Sequence, residues 1–373
     1  MHHAIHIGDV REVLATLDAQ SFDAVLCDPP YELTSGKNSR TGFMGQAWDG
    51  SGVAFDPATW RAVLRCLRPG AHLLAAGGTR TYHRTTCAIE DAGFEIRDCI
   101  GYAWVYGSGF PKSLNLDGSH AGYGTALKPA FEPWTLARKP LDGTVARNVQ
   151  AHGCGALAID AGRVATDEDL NGGTYSGHDK RCDSRPDSAP GAKPLQRLAN
   201  GCGSTFVQPL GRWPANAIFD EAAGAELDAQ SGILSTHQGS VVPTNAAIGF
   251  MGGGSGSARE IASSRGGASR FFYCAKTSTR ERNAGLEDDA KNPHPTLKPI
   301  TLTTYLARLM LPPAIGRPRR ILVPFSGAGS EMIGCLLAGW DEVVGVELSA
   351  EYAAIAEKRI AHHLAGQMEL AAE

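Results

Sequence analysis

Four residues with chemical potential, Asp28-Pro29-Pro30-Tyr31, directly follow the apolar run FDAVLC. Loops at the carboxyl ends of buried strands are where α/β sheets bind ligands, so this position favours chemistry. Two consecutive prolines fix φ and push Asp28 out of the helical region. The Asp28 carboxylate and the Pro29 carbonyl can then accept both N–H groups of an exocyclic base amine, while Tyr31 offers a ring for stacking. We predict that this motif is catalytic; the alternative is a strand-to-loop turn capped by Asp28.

A glycine-rich turn, PFSGAG (residues 324–329), follows a second apolar strand and opens a helix. Glu347 ends the next strand, where an acid is placed to accept from both hydroxyls of a ribose. Glycines let a backbone approach a ligand closely, but the third glycine of a pyrophosphate-binding turn is lacking. The pattern therefore predicts a nucleoside site without a pyrophosphate. The alternative is a glycine turn beside a surface glutamate.

Alternating strands and helices must position these two motifs. Before Lys139 the sequence predicts strands at AIHIGD, FDAVLCDPP and AHLLAAGG, with a helix beginning at Pro57 after the capping residue Asp56. After residue 267 the alternation resumes with RFFYCAKTS, ITLTTYLARLML, RRILVPF, SEMIGCLLAG and EVVGVEL. Such alternation predicts a doubly wound α/β fold.

An irregular stretch rich in Gly, Ser and Asn separates the two halves and includes the tract MGGGSGS. It shows no periodicity that would build a core, and a compact domain rarely contains so much irregular chain unless it binds something. We divide the chain into residues 1–140, an insertion at 141–267, and residues 268–373. We interpret the insertion as a binding segment ordered by its ligand, the alternative being disorder.

Composition excludes several classes of protein. The 373 residues carry 35 Lys plus Arg against 39 Asp plus Glu, a net charge of −4, which argues against a basic coat for nucleic acid. No run reaches the ~20 apolar residues of a membrane span, and acidic residues interrupt the N-terminal segment. The nine cysteines form no C-x-x-C pair and lie mostly in apolar runs, which indicates a reducing, cytoplasmic setting.

A zinc site is the main alternative use of the cysteines. The spacing of its candidate ligands matches no standard finger, so we expect no metal; the candidates are Cys154, Cys182, Cys202, His152 and His178.

Nine stretches together resemble the permuted, or β group, amino-methyltransferases that methylate DNA bases from S-adenosylmethionine. They are HIGD, DPPY, GFPKSLN, LKPAFEPWTLARKP, GRWPAN, RFFYCAK, NPHPTLKP, PFSGAGSE and VGVELSAEY. Their order, with the catalytic half first and the cofactor half last, is similar to that of phage and prophage DNA adenine-N6 enzymes. The resemblance implies a seven-stranded, mostly parallel, circularly permuted Rossmann-like sheet with one antiparallel strand.

The resemblance also implies roles for individual residues. The DPPY motif would hold the target base, Asp9 would accept from the cofactor's adenine amine, and Glu347 would hold its ribose. The glycine-rich turn would surround the cofactor with Pro324, Phe325, Ser326, Gly327 and Gly329. The methionine end would be closed by His294, Thr296 and Lys298.

Two departures from the family pattern affect the cofactor role. Val323 stands where the family usually has Asp, so a polar contact is missing or supplied elsewhere, and Ser330-Glu331 replaces a pair of threonines. Val323 leaves open a non-catalytic DNA-binding protein with a degenerate cofactor site. Two further alternatives are a cytosine-N4 DNA methyltransferase, which uses the same geometry, and an RNA or protein amino-methyltransferase.

DNA affinity in an acidic chain requires a local basic surface. The residues in and beside the insertion that we expect to contact phosphates are Arg259, Arg265 and Arg270, with Lys112 as a further candidate. A solvated basic face is the alternative. The sequence leaves a homodimer and a restriction partner open.

Overall fold

The computed structural model describes residues 2–33, 49–103, 114–168, 170, 210–235, 239–241, 259–261, 265–276, 281–286, 292–294 and 297–370. Its strands are β1 (His2–Ile7), β2 (Phe22–Cys27), β3 (Leu67–Ala76), β4 (Glu95–Ala103), β5 (Phe131–Arg138), β6 (Val164–Ala165), β7 (Gly211–Arg212), β8 (Ala217–Asp220), β9 (Leu234–Ser235), β10 (Gly239–Val241), β11 (Arg259–Ile261), β12 (Arg265–Gly266), β13 (Tyr273–Ala275), β14 (Arg320–Pro324) and β15 (Glu342–Glu347). Its helices are α1 (Val10–Thr16), α2 (Pro57–Cys66), α3 (Tyr82–Asp91), α4 (Val145–His152), α5 (Glu221–Ser231), α6 (Ile300–Leu309), α7 (Ser330–Ala338) and α8 (Ala350–Leu370).

One large sheet has the strand order β1-β15-β14-β2-β3-β5-β4-β8-β13. Strand β5 runs antiparallel to both β3 and β4, and the other neighbouring strands are parallel. The prediction of a mostly parallel sheet with one antiparallel strand is therefore confirmed. The sheet has nine strands rather than seven because β8 and β13, of four and three residues, extend one edge. Strand β8 lies within the glycine-rich stretch and is too short to show a sequence period.

Side chains that alternate along the central strands supply a core on each face of the sheet. Ala24 and Leu26 of β2 pack in one cluster with Leu302 of α6 and Met332 of α7. The intervening side chains of β2 pack in a second cluster with α1 and α2, where Trp60 is fully buried. Because both faces are covered by helices, the strands read as continuous apolar runs, and the predicted doubly wound α/β class is confirmed.

Two capping residues fix the starts of helices near the sheet's carboxyl edge. Asp9 caps α1 by accepting from the backbone N–H of Arg11, and Asp56 caps α2 by accepting from Ala58. Pro57 is the first residue of α2, as the sequence predicts.

The chain divides into two compact units. The larger unit comprises Met1–Gly162, Ala215–Gly224 and Phe272–Glu373, and the smaller unit comprises Arg163–Pro214 and Ala225–Phe271. Residues 141–162 thus fold with the sheet, where the buried Asn148 side chain donates to the carbonyls of Pro69 and Cys154. The smaller unit contains three two-stranded ladders, β6–β7, β9–β12 and β10–β11. The insertion boundaries at 141 and 267 remain a functional prediction.

Four adjacent strands of the sheet, β1, β15, β14 and β2, bring together loops from opposite ends of the sequence. Strands β14 and β15 come from the last part of the chain and lie between β1 and β2 from the first part. The DPPY motif, the glycine-rich turn, Glu347 and Asp9 therefore lie at one carboxyl edge.

Within the described ranges no helix is long and apolar enough to cross a membrane.

Candidate active site

A cleft enclosing about 1140 Å³, part of it open to solvent, lies at this carboxyl edge of the larger unit. It combines most of the residues that the sequence analysis singles out: Asp9, Asp28, Pro29, Pro30, Tyr31, His294, Phe325, Gly327 and Glu347 all line it. Thr296 and Lys112 lie outside the described residues. The site roles remain predictions, but the residues share one cavity.

The two oxygens of the Asp28 carboxylate have different surroundings. Oδ2 lies 3.0 Å from Nζ of Lys298, in an ion pair whose side chains are 15% and 7% exposed. Oδ1 is buried and accepts no hydrogen bond from the described residues. A buried acceptor without a donor costs free energy, so Oδ1 is placed to take a donor from a ligand.

Glu132 joins this site from strand β5, and the sequence analysis assigned it no role. Its Oε1 accepts from Nζ of Lys298 at 2.8 Å and from the hydroxyl of Tyr31 at 2.5 Å. Its Oε2 accepts from the indole N–H of Trp134 at 3.1 Å. The sequence signal was an acid beside Pro133-Trp134 in a mostly apolar strand, since a buried carboxylate needs partners.

Three oxygens therefore surround Nζ of Lys298. It donates to Glu132 and to the hydroxyl oxygen of Tyr31, each at 2.8 Å, and forms an ion pair with Asp28. Burial opposes the charge of Lys298, but the carboxylates of Asp28 and Glu132 outweigh burial and raise its pKa. Burial and the same two carboxylates raise the pKa of Tyr31 well above its ordinary value, so its phenol stays protonated. Asp28, Glu132, Lys298 and Tyr31 therefore form one charged network. Within the described residues, Oδ1 of Asp28 is the buried oxygen of this network that accepts no hydrogen bond.

The loop after β2 is held in place from behind by α3 and its preceding turn. The hydroxyl of Thr81 donates to the backbone carbonyl of Tyr31 at 2.6 Å. A side chain at Gly78 would come within 3.1 Å of the Tyr31 ring, so glycine permits this close approach. Tyr31 is thus fixed at its ring, its hydroxyl and its backbone.

The glycine-rich turn adopts an unusual backbone. Phe325 has φ of 65°, a left-handed conformation that is strained for an aromatic residue. Gly327 has φ of +50°, and a Cβ there would lie 2.9 Å from Nε2 of His294. Gly329 has φ of +85° and caps α7, close to Ala356 of α8. The turn therefore requires glycine at both positions, and its strain is typical of ligand-binding loops.

Ser326 and Pro324 shape the same turn from inside. Ser326 is buried, and its backbone N–H donates to the carbonyl of Val346 at 2.9 Å. Pro324 ends strand β14 opposite Val346. Val323 is fully buried in the core on one sheet face and offers no polar group to the cleft.

Glu347 is 8% exposed, and each of its oxygens accepts a backbone N–H. Oε2 accepts from Gly327 at 2.7 Å and Oε1 from Ser349 at 2.9 Å. Burial raises the pKa of Glu347, while these backbone hydrogen bonds lower it, and burial prevails. Each carboxylate oxygen has a second lone pair, so the residue can still accept from a diol.

Asp9 is less available than the sequence suggests. Its Oδ1 accepts from the backbone N–H and Nε of Arg11, both at 2.9 Å, and its Oδ2 lies 2.7 Å from Nη2 of the same residue. The hydrogen bonds from Arg11 lower the pKa of Asp9. Asp9 lines the cleft as half of an ion pair, so a ligand amine would share the carboxylate with Arg11.

The basic residues expected to bind DNA have different surroundings within the smaller unit. Arg265 is exposed, whereas the Arg270 side chain is 15% exposed, with Nε 3.3 Å from Glu168. Arg270 also donates to the carbonyls of Gly266 and Gly267 at 2.6 and 2.7 Å and packs over a phenylalanine ring. For Arg259 the structure gives the strand position only. The contacts of Arg270 indicate a bracing role, and phosphate contact by these residues remains a prediction.

Among the described residues, no cluster of three His, Cys, Asp or Glu side chains could hold a metal ion. Cys154 is buried and its thiol lies 3.3 Å from Oδ1 of Asp23. Cys182, Cys202 and His178 lie outside the described residues.

Comparison with protein-family models gives no match, and comparison with curated proteins gives none either. Among solved structures, the chain is similar to TTHA0409 of Thermus thermophilus, described as a candidate DNA modification methylase. The two chains are 17% identical, the match covers 97% of this chain and 95% of that chain, and the TM-score is 0.43. It is similar to M1.HpyAVI in complex with S-adenosylmethionine, with 14% identity, coverage of 96% and 98%, and a TM-score of 0.42. It is also similar to the cytosine-N4-specific PvuII DNA methyltransferase, with 11% identity, coverage of 96% and 86%, and a TM-score of 0.45.

Proposed function

We propose that the chain is a DNA methyltransferase that transfers a methyl group from S-adenosylmethionine to N6 of a flipped adenine. The observation that carries the proposal is the Asp28 carboxylate in the cleft: Oδ2 pairs with Lys298, and the buried Oδ1 accepts no hydrogen bond from the part of the chain that the structure describes. The motifs quoted above resemble those of permuted amino-methyltransferases, and the placement of β14 and β15 between β1 and β2 is consistent with that permutation.

The residues present fit a nucleoside cofactor. Glycine at position 327 lets the turn approach His294 in the wall of the cleft, where a Cβ would lie 2.9 Å from Nε2, and Glu347 retains lone pairs for ribose hydroxyls. Phe325, held at positive φ, lines the same cleft. When bound, the cofactor supplies a methyl group activated by a sulfonium centre.

Asp28 would hold and orient the nucleophile. One N–H of the target amine donates to Oδ1 of Asp28 and the other to the Pro29 carbonyl, which favours a pyramidal nitrogen with its lone pair free. The ion pair with Lys298 holds Asp28 in place, so little reorganisation is needed when positive charge develops on the amine. The amine's proton can leave through Oδ1.

Tyr31 would receive the flipped base. Its phenol is fixed by Glu132 and Lys298, so the ring is oriented before any base arrives. Stacking on an aromatic ring contributes about 1–3 kcal/mol per base, which offsets part of the unstacking cost. Residues 141–267 would read the DNA sequence around that base.

Product analysis tests the proposal and separates adenine from cytosine. Purified protein is incubated with methyl-tritiated S-adenosylmethionine and mixed-sequence DNA, and the digested nucleosides are chromatographed. We expect label in N6-methyladenine. Label in N4-methylcytosine would overturn the base assignment alone. Cofactor and DNA binding without label in either nucleoside would instead support the non-catalytic alternative.

A further inference from the structure

A small side chamber, enclosing about 250 Å³, adjoins the cleft in the larger unit. It shares Asp28, His294 and Gly327 with the cleft, and Glu331 forms part of its wall. Glu331 lies in the first turn of α7 and is 5% exposed. The proposed target-amine contact and ribose contact leave this carboxyl without a use.

Glu331 lacks a cationic partner among the described residues. Its carboxylate can accept from its own backbone N–H, and no ion pair within 4.0 Å joins it to a described Lys or Arg. Lys298 is fully committed to three other oxygens. Arg359 donates instead to the carbonyl of Ala328, to the hydroxyl of Ser330 and to the carbonyl of Glu281.

A buried carboxyl in this position either carries a proton or receives a cation from a ligand. Burial, followed by the nearby charge of Asp28, raises the pKa of Glu331 to about 8, while Lys298 and Arg359 lower it in part. At neutral pH the free protein therefore keeps Glu331 mostly protonated. The titratable or charged groups around it are Asp28, Lys298, Arg359, His294, Cys27 and Cys335.

We infer that Glu331 binds the α-ammonium group at the methionine end of the cofactor, an inference that rests on the proposed function. The chamber opens beside the glycine-rich turn, where the amino-acid end of a bound nucleoside would extend. Val323 at the end of β14 is buried and apolar, so the strand itself offers no acid there. On binding, Glu331 releases its proton to solvent and forms a charged hydrogen bond with the ammonium group.

Calorimetry with two ligands tests the inference. S-adenosylhomocysteine carries the amino-acid end, and 5′-methylthioadenosine carries the same nucleoside and sulfur without it. We expect Glu331→Gln to weaken S-adenosylhomocysteine binding at least tenfold and to leave methylthioadenosine binding within twofold, because only the first ligand has the ammonium group. Glu357→Gln, which removes a half-exposed carboxylate on α8, should change neither affinity.

A second measurement needs no variant. Titrations of the wild-type chain at pH 7, in buffers with different ionisation enthalpies, should show close to one proton released per S-adenosylhomocysteine and almost none per methylthioadenosine. Equal proton release for both ligands, or an unchanged ratio of affinities in Glu331→Gln, would overturn the role of Glu331 and leave the proposed function standing. Failure of both ligands to bind the wild type would contradict the proposed function itself, and the inference with it.

Discussion

The Nζ atom of Lys298 lies 2.8 Å from Oε1 of Glu132, although the two residues are 166 positions apart in the sequence. The contact joins the segment before α6 to strand β5. The hydroxyl of Tyr31 donates to the same oxygen, Oε1 of Glu132, so Tyr31 is held by the same contact. The orientation of Tyr31 in the DPPY motif thus depends on residues outside that motif.

Removing this buried partner should destabilise the protein. We expect Glu132→Gln to lower the free energy of unfolding by about 1–3 kcal/mol, because the amide oxygen is a weaker acceptor than the carboxylate for the buried donors of Lys298 and Tyr31, while Asp28 still pairs the Lys298 charge. Urea unfolding followed by fluorescence measures the change. Glu342→Gln is the matched control, since Glu342 pairs with Arg320 on the same sheet but both side chains are partly exposed, at 34% and 30%, and the change should cost below about 1 kcal/mol. Similar losses for both variants would contradict the special role of Glu132.

The catalytic assignment predicts that Asp28→Ala abolishes methyl transfer while the fold and much of the cofactor affinity remain. Loss of a charged acceptor in a buried site should cost several kcal/mol of transition-state stabilisation, about a thousandfold in rate. Tritium transfer to DNA measures activity, and calorimetry measures cofactor affinity. Activity within tenfold of the wild type would show that Asp28 does not hold the reacting amine.

The glycine-rich turn offers a comparison of two glycines at positive φ. Gly327→Val should block the nucleoside pocket, because its side chain would clash with His294 as well as strain the backbone. Gly316 has φ of +77° with nothing within 4 Å of its added Cβ, so Gly316→Val should cost backbone strain only. Cofactor affinity should fall for Gly327→Val alone. Equal affinities in the two variants would place the cofactor elsewhere.

The raised pKa of Glu331 predicts that the free energy of unfolding depends on pH. Folding raises its pKa from 4.5 to about 8, so the folded state binds one more proton between these values. Its favourable contribution is complete below pH 4.5 and is lost as pH rises through 8. Glu331→Gln cannot ionise, so at pH 9 it should be more stable than the wild type by roughly 2–5 kcal/mol. Urea unfolding at pH 6 and pH 9 checks this, and a constant difference would refute the shifted ionisation.

The smaller unit separates two basic residues by their exposure. Arg265→Ala should weaken DNA binding and reduce the slope of log affinity against log salt by roughly 0.9, as expected for one lost phosphate contact. Arg270→Ala should chiefly destabilise the smaller unit, because Arg270 forms an ion pair with Glu168 and donates to two glycine carbonyls. Filter binding over a salt series distinguishes them. An unchanged slope for Arg265→Ala would make this residue part of a solvated face.

Sequence reasoning identified the edge of the sheet where the cleft lies, because strand-end motifs such as Asp28 and Glu347 are local in sequence. It missed Glu132, whose importance appears only when β5 is inserted antiparallel between β3 and β4. It also could not tell that Asp9 is engaged by Arg11 or that Arg270 is turned inward, since both depend on which partners packing brings near. Of the two extra edge strands, β13 lies within the predicted strand RFFYCAKTS, whereas β8 was too short for any period to reveal.

The order of strands in the sheet has a consequence for synthesis of the chain. Strands β1 and β2 are translated before β14 and β15, which separate them in the sheet. Until β14 and β15 are translated, the nascent chain exposes apolar strands whose edges have no hydrogen-bonded neighbour, a state prone to aggregation. The cleft can form only after β14 and β15 have been translated, so a chain truncated before β14 would lack Phe325, Gly327 and Glu347 of its lining.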